Sequence, residues 1–154
     1  NSWHLVYIRR AELERDQHSG QVAFAGGKYE ENDKDLQHTA LREAHEEIGV
    51  APHHVTVLGQ LGFHHSVSNF RITPVVGSIP WPYPLELQTS EVSRVFSIPL
   101  QWLADPANHE IRQREIPQYK KTTAVAYFNE YDGELLWGAT ARMTLSLIDS
   151  LKAE

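Results

Sequence analysis

The sequence predicts an α/β protein, and three observations carry that prediction. Short β-branched or alternating runs recur along the chain, two longer stretches show helical spacing, and glycine or proline marks most of the junctions between them. A length of 154 residues suits one globular domain, expected to span 1–154. Hydrophobic residues at 41% and charged residues at 22% exclude a disordered tail, a collagen-like chain and a coiled coil.

The elements follow in order. Residues 3–9 read as a strand, with Leu5, Tyr7 and Arg9 alternating against Val6 and Ile8; the chain opens on it without a methionine, which leaves room for an upstream strand. Residues 10–19 are polar and charged and read as a surface loop. Residues 21–25 form a short strand that Gly26-Gly27 breaks. A helix is expected from Asp33 to Gly49, with Gly49 as its C-terminal glycine and Pro52 confirming the stop. Residues 55–62 and 70–79 read as strands joined by a loop at 64–69, with Pro74 marking an irregular or edge strand. Pro80, Pro82 and Pro84 impose an extended connector. A strand at 91–98 leads to Pro99, which opens a short helix at 100–104. Strands at about 110–116, 122–129 and 134–137 follow, the last two joined by an Asp132-Gly133 turn. The second long helix covers 138–152, its apolar face set by Met143, Leu147, Ile148 and Leu151.

Composition narrows the function. Zero cysteines exclude disulfides, thiolate zinc sites and a cysteine nucleophile. Neither an 18-residue apolar run nor a signal peptide is present, so no membrane partner is expected and a cytoplasmic location is. Fourteen basic against twenty acidic residues give a net charge of −6, which argues against a nucleic-acid-binding surface. An acidic chain can still bind the phosphates of a small molecule through a metal ion. Oligomeric state stays open, a homodimer included.

The chemistry is concentrated on the first helix. Turned at 100° per residue, it puts Glu43, Glu46 and Glu47 within an arc of about 100°, with Leu41, Ala44 and Ile48 roughly opposite, so the carboxylates are expected to stand clear of the packed face. Three glutamates one turn apart repel one another unless something offsets the charge. A solvated acidic face is the bland reading; a hard divalent cation, which takes oxygen ligands, is the other.

The surroundings favour the cation. Gly27, five residues, Asp33, eight residues, and then Arg42-Glu43-Ala44-His45-Glu46-Glu47-Ile48-Gly49-Val50 together resemble the Nudix box. The resemblance implies a Nudix-type α/β/α sandwich with a mixed β-sheet and a loop–helix–loop catalytic motif. It also implies Mg2+- or Mn2+-dependent hydrolysis of nucleoside diphosphates linked to another group. By the same resemblance Glu43, Glu46, Glu47 and the carbonyl of Gly27 are the metal ligands, and Arg42 pairs with the spaced acid. Here that acid is Asp33 rather than glutamate, one residue further from the arginine, and Glu30 and Glu31 are rival partners for Arg42. The base that takes the proton of the attacking water is Glu46 or Glu43, with Glu91 as a further candidate.

The flanks bear on the substrate. Leu5-Val6-Tyr7-Ile8-Arg9-Arg10, Arg15 and the run from Gly20 to Gly27 are similar to the signature of the coenzyme A pyrophosphatase branch of that family, with Ala25 in place of its proline and Arg10 in place of its serine. Ile72-Thr73-Pro74-Val75-Val76-Gly77 and Trp137-Gly138-Ala139-Thr140-Ala141-Arg142 also look like that branch. The implied products are 3′,5′-ADP and 4′-phosphopantetheine. Arg9, Arg10 and Arg15 would grip phosphate oxygens with their planar forks, Arg9 foremost because it ends a strand pointing toward the box, the alternative being ordinary surface arginines. Phe24 is either core or a platform for the substrate. The other readings are a Nudix enzyme for ADP-ribose, a dinucleotide or another nucleotide, and a non-catalytic nucleotide sensor.

Overall fold

The computed structural model describes residues 2–14, 19–66, 69–117 and 120–152, in two compact units: 6–96, and 1–5 with 97–154. Strands and helices interleave in both, as the sequence predicts for the α/β class.

In the unit 6–96, β1 (His4–Arg10) lies between β2 (Val22–Ala23) and β7 (Val92–Pro99) in a three-stranded sheet. Tyr7 is fully buried, stacked on Phe24 at 4.8 Å and on Phe96 at 5.8 Å between ring centres. A second cluster joins Ile8 and Val92 to Ile48 and Val50 at the end of helix α1 (Leu36–Ile48), so sheet and helix share one apolar core. That core fixes the rotation of the helix that carries the carboxylates.

Helix α1 starts three residues later than its pattern suggests. Asp35 is the N-cap, its carboxylate accepting from the His38 N–H at 2.8 Å, while Asp33 is buried ahead of the helix. The stop is as expected: Gly49 has φ 77° and donates to the His45 carbonyl at 3.0 Å. A side chain at Gly49 would also press on the Glu86 backbone at 3.0 Å.

The expected strand at 70–79 is two. Pro74 has no N–H to give a ladder, and the run divides into β5 (Arg71–Ile72) and β6 (Val75–Ser78). β6 pairs antiparallel with β3 (Thr56–Gln60), across a bulge between Val57 and Gly59. His64 and His65, expected in a loop, form β4 (His64–His65) against β5.

In the other unit, β8 (His109–Ile116) and β9 (Lys121–Phe128) form an eight-residue antiparallel ribbon, with α2 (Leu100–Ala104) ahead of it and α3 (Gly138–Lys152) against β9. The strand expected at 134–137 is reduced to bridges, Tyr131 with Glu134 and Tyr127 with Trp137. Its turn is as read: Asp132 and Gly133 both take positive φ, 49° and 77°, as a tight hairpin requires. α3 buries Met143 and Ile148 as predicted, together with Ala141 and Thr144, while Leu151, in the last turn, is exposed. No helix among the described residues is long and apolar enough to cross a membrane.

Candidate active site

Asp33 organises the loop before the helix. Its Oδ1 accepts from Arg42 Nε at 2.9 Å and its Oδ2 from Arg42 Nη2 at 3.0 Å, the Glu30 N–H at 2.9 Å and the Thr39 hydroxyl at 2.9 Å. Glu30 approaches Arg42 only to 3.8 Å, so the bidentate partner is Asp33. The Asp33 N–H donates back to Glu30 O at 2.9 Å, closing a turn just ahead of the Asp35 cap. Arg42 Nη2 also holds the Lys28 carbonyl at 3.1 Å, fastening the glycine loop to the helix. The hydrogen bond from Arg42, then that from Glu30, keep the Asp33 carboxyl well below the usual carboxylate range, and Asp33 in turn raises Arg42.

The remaining arm of Arg42 reaches the carboxylates. Nη1 lies 3.0 Å from Glu43 Oε1 and 3.4 Å from Glu46 Oε2. Glu43 and Glu46 therefore rest on a guanidinium, which offsets the repulsion their spacing sets up. Burial raises the Glu43 pKa even so.

Glu47 departs from the helical-wheel expectation: it stands on the buried side of α1 beside Ile48, 6% exposed, while Glu46 is open to solvent. The packed face is wider than its apolar residues alone define, because the glycine loop covers Glu47. The Gly26 N–H donates to the carboxylate at 3.3 Å. Desolvation outweighs that bond and pushes the Glu47 pKa up to about 7, with Glu43 and Glu91 adding to the shift and Arg10 opposing it.

These groups face a cleft of about 520 Å³ lined by Arg10, Gly26, Gly27, Lys28, Glu43, Glu46, Glu47, Gln88 and Glu91. Backbone bonds from Glu86 N–H to Ile48 O and from Gln88 N–H to Glu47 O tie the far wall to the end of the helix. Among the described residues no three acid or histidine side chains close on a single point, since Arg42 holds two of the glutamates. The donor set nonetheless suits a hard cation, being all oxygen, and the missing side chain of Gly27 lets the Glu43 carboxyl close on the glycine loop: a Cβ there would lie 2.5 Å from that carboxyl.

The structure thus brings Gly27, Arg42, Glu43, Glu46, Glu47 and Glu91 together. Arg9 and Phe24 are elsewhere: the Arg9 Nε donates to the Gly20 carbonyl at 3.3 Å, and Phe24 stacks on Tyr7. Arg15 lies outside the described residues. Arg10 lines the cleft instead of Arg9, because neighbouring side chains on a strand point to opposite faces. Lys28 and Gln88 escaped the sequence reading. Lys28 directly follows Gly27 and was available to it; Gln88 is placed by a backbone bond across 41 residues, for which the local sequence has no signal.

With this geometry in place, the relatives are informative. The NUDIX domain family model matches residues 1–120, and the chain belongs to the Nudix family. It is 38% identical over 139 residues to the uncharacterized Nudix hydrolase NudL of Yersinia pestis strain Pestoides F, an alignment covering 89% of this chain and 67% of that protein. The NudL of Yersinia pseudotuberculosis serotype O:1b strain IP 31758 matches to the same extent. The protein is therefore a pyrophosphohydrolase, acting on phosphorus anhydrides of small nucleotide substrates in a family that uses divalent metal ions.

Replacing Asp33 by alanine leaves Arg42 beside Glu43, Glu46 and Glu30, so turnover should fall by about tenfold through misplacement of the loop. A depressed carboxylate stabilises the fold above its unfolded pKa of about 3.9 and loses that contribution as pH falls. The melting-temperature gap between the parent and Asp33→Ala should therefore keep its full width from pH 7 down to about pH 5 and shrink progressively as pH falls from about 4 toward about 2. Melting curves across that range test it, and a gap independent of pH would count against the pairing.

Proposed function

We propose that the enzyme cleaves the pyrophosphate of coenzyme A or a short acyl-coenzyme A, giving 3′,5′-ADP and 4′-phosphopantetheine, with Mg2+ or Mn2+ as the ion. The observation that carries this reading is the flanking sequence similar to the coenzyme A pyrophosphatase branch, from Leu5 to Gly27, at 72–77 and at 137–142. The cleft supports it: Arg10 and Lys28 supply positive charge across from the carboxylates, as a substrate with a pyrophosphate and a further phosphate requires.

In this reading Glu43, Glu46, Glu47 and the Gly27 carbonyl would hold the ion. When bound, it supplies charge neutralisation on the pyrophosphate oxygens and a more acidic water. The protein's own groups do the rest. Arg42 positions Glu43 and Glu46 and holds the glycine loop to the helix; Arg10 and Lys28 bind phosphate oxygens. Glu46, the most open of the three glutamates, is the first candidate to take the proton of the attacking water, then Glu43, with Glu91 facing them in the cleft.

The test is a panel of coenzyme A, 3′-dephospho-coenzyme A, ADP-ribose and dinucleotides with magnesium, resolved by product identity. Coenzyme A should be cleaved about ten- to a hundredfold faster than its 3′-dephospho form, and Arg10→Ala should shrink that ratio. Equal rates for the two forms, or a preference for ADP-ribose, would replace coenzyme A with another nucleotide substrate.

A further inference from the structure

We infer that Phe70 is the platform on which the substrate's nucleobase stacks, and that Lys28 rests on that ring until substrate arrives. The ring is 54% exposed, immediately before β5 on the turn side of the β4–β5 hairpin, where the Phe70 N–H donates to the Ser66 hydroxyl at 2.9 Å and its carbonyl accepts from the Ser66 N–H at 2.8 Å. An aromatic ring left half in water costs apolar solvation, and its backbone bonds hold it there. The Lys28 ammonium lies 5.3 Å from the ring centre, within cation–π range. Lys28 also lines the cleft, and its own carbonyl is fixed by Arg42. One side chain thus spans from the phosphate-binding cleft to an exposed aromatic face.

Phe63 nearby is a useful contrast. It is similarly exposed, but Arg71 covers its face at 3.9 Å and His65 meets it edge-on at 5.4 Å; neither of those residues lines the cleft. Phe70 is the ring whose cation belongs to the cleft. When a base takes the face of Phe70, the ammonium is released to the phosphate chain, so a single displacement fills both halves of a nucleotide site. Stacking tolerates any base, so this contact recognises a nucleotide as such and leaves the choice among nucleotides to other groups.

The inference rests on the enzyme acting on a nucleotide but not on which one, and direct binding separates the two questions. Calorimetry with AMP and with ribose 5-phosphate, in magnesium buffer, measures the base's share of affinity without turnover. In the parent protein AMP should bind more tightly than ribose 5-phosphate by at least about fivefold, the lower end of stacking effects. Phe70→Ala should abolish most of that advantage and, by freeing the Lys28 ammonium from the ring, leave ribose 5-phosphate bound at least as tightly as in the parent, while Phe70→Tyr and Phe63→Ala keep the advantage. An equal loss for both ligands, an AMP advantage that survives Phe70→Ala, or no AMP advantage in the parent would overturn the assignment. Failure of coenzyme A in the substrate panel would leave this result standing.

Discussion

A Glu47→Gln protein is expected to fold as the parent does and to lose turnover by about 10²- to 10³-fold, the cost of removing one preorganised charge interaction from an active site. The amide keeps an oxygen for the Gly26 N–H and fills the same volume, so the loss is one of charge. Its stability gives an independent check. The folded-state pKa of about 7 lies above the unfolded value, so the folded protein holds a proton on Glu47 that the unfolded chain gives up from about pH 4.3 upward. Metal-free parent protein therefore loses stability as pH rises through that window, and Glu47→Gln does not. Melting temperatures at pH 5 and pH 8 should show the variant gaining on the parent at the higher pH. Magnesium should stabilise the parent more at pH 8 than at pH 6, because below pH 7 the ion must displace a proton. A folded Glu47→Gln enzyme with near-normal turnover would remove Glu47 from the metal site.

Gly27→Ala is expected to separate activity from stability in another way. The added methyl would stand 2.5 Å from the Glu43 carboxyl, too close to coexist. What must yield is the end of a flexible side chain, so the fold should melt within a degree or two of the parent. The displaced carboxylate, however, would lose its bond to Arg42 and its place in the cleft. Misplacement of a catalytic group by about 1 Å can cost about 10²-fold, and a comparable fall in turnover is expected. A large drop in melting temperature with little change in rate would mean that Gly27 serves the fold and not the site.

The legible part of this protein is the part with local rules. α1 ends where Gly49 requires it, α3 begins and ends as its periodicity marks, and the carboxylates on α1 were visible as an array with nothing to offset their charge. Long-range placement was not legible. A helical wheel put Glu47 in solvent, because the wheel knows nothing of a glycine loop folding back over the helix to bury it. Arg9 and Arg10 are equivalent as chemistry; only the pairing of Arg9 with Val22 sets which of the two faces the cleft. The split of 70–79 was signalled by Pro74, but the pairing of His64 with Ile72 depends on two segments meeting across a turn.

The two backbone bonds from Glu86 and Gln88 to the last carbonyls of α1 also give this site a built-in gauge. An amide exchanges its hydrogen with solvent only when its bond opens, and these two amides can open only if the connector parts from the helix that carries the glutamates. Their exchange rates therefore measure how firmly the cleft's far wall is attached, residue by residue and without any substrate. A ligand that bridges the helix and that wall should slow both amides together, while one that touches the helix alone should leave them as they were. Deuterium uptake in the segment 85–91 can thus distinguish ligands that clamp the cleft from ligands that only occupy it.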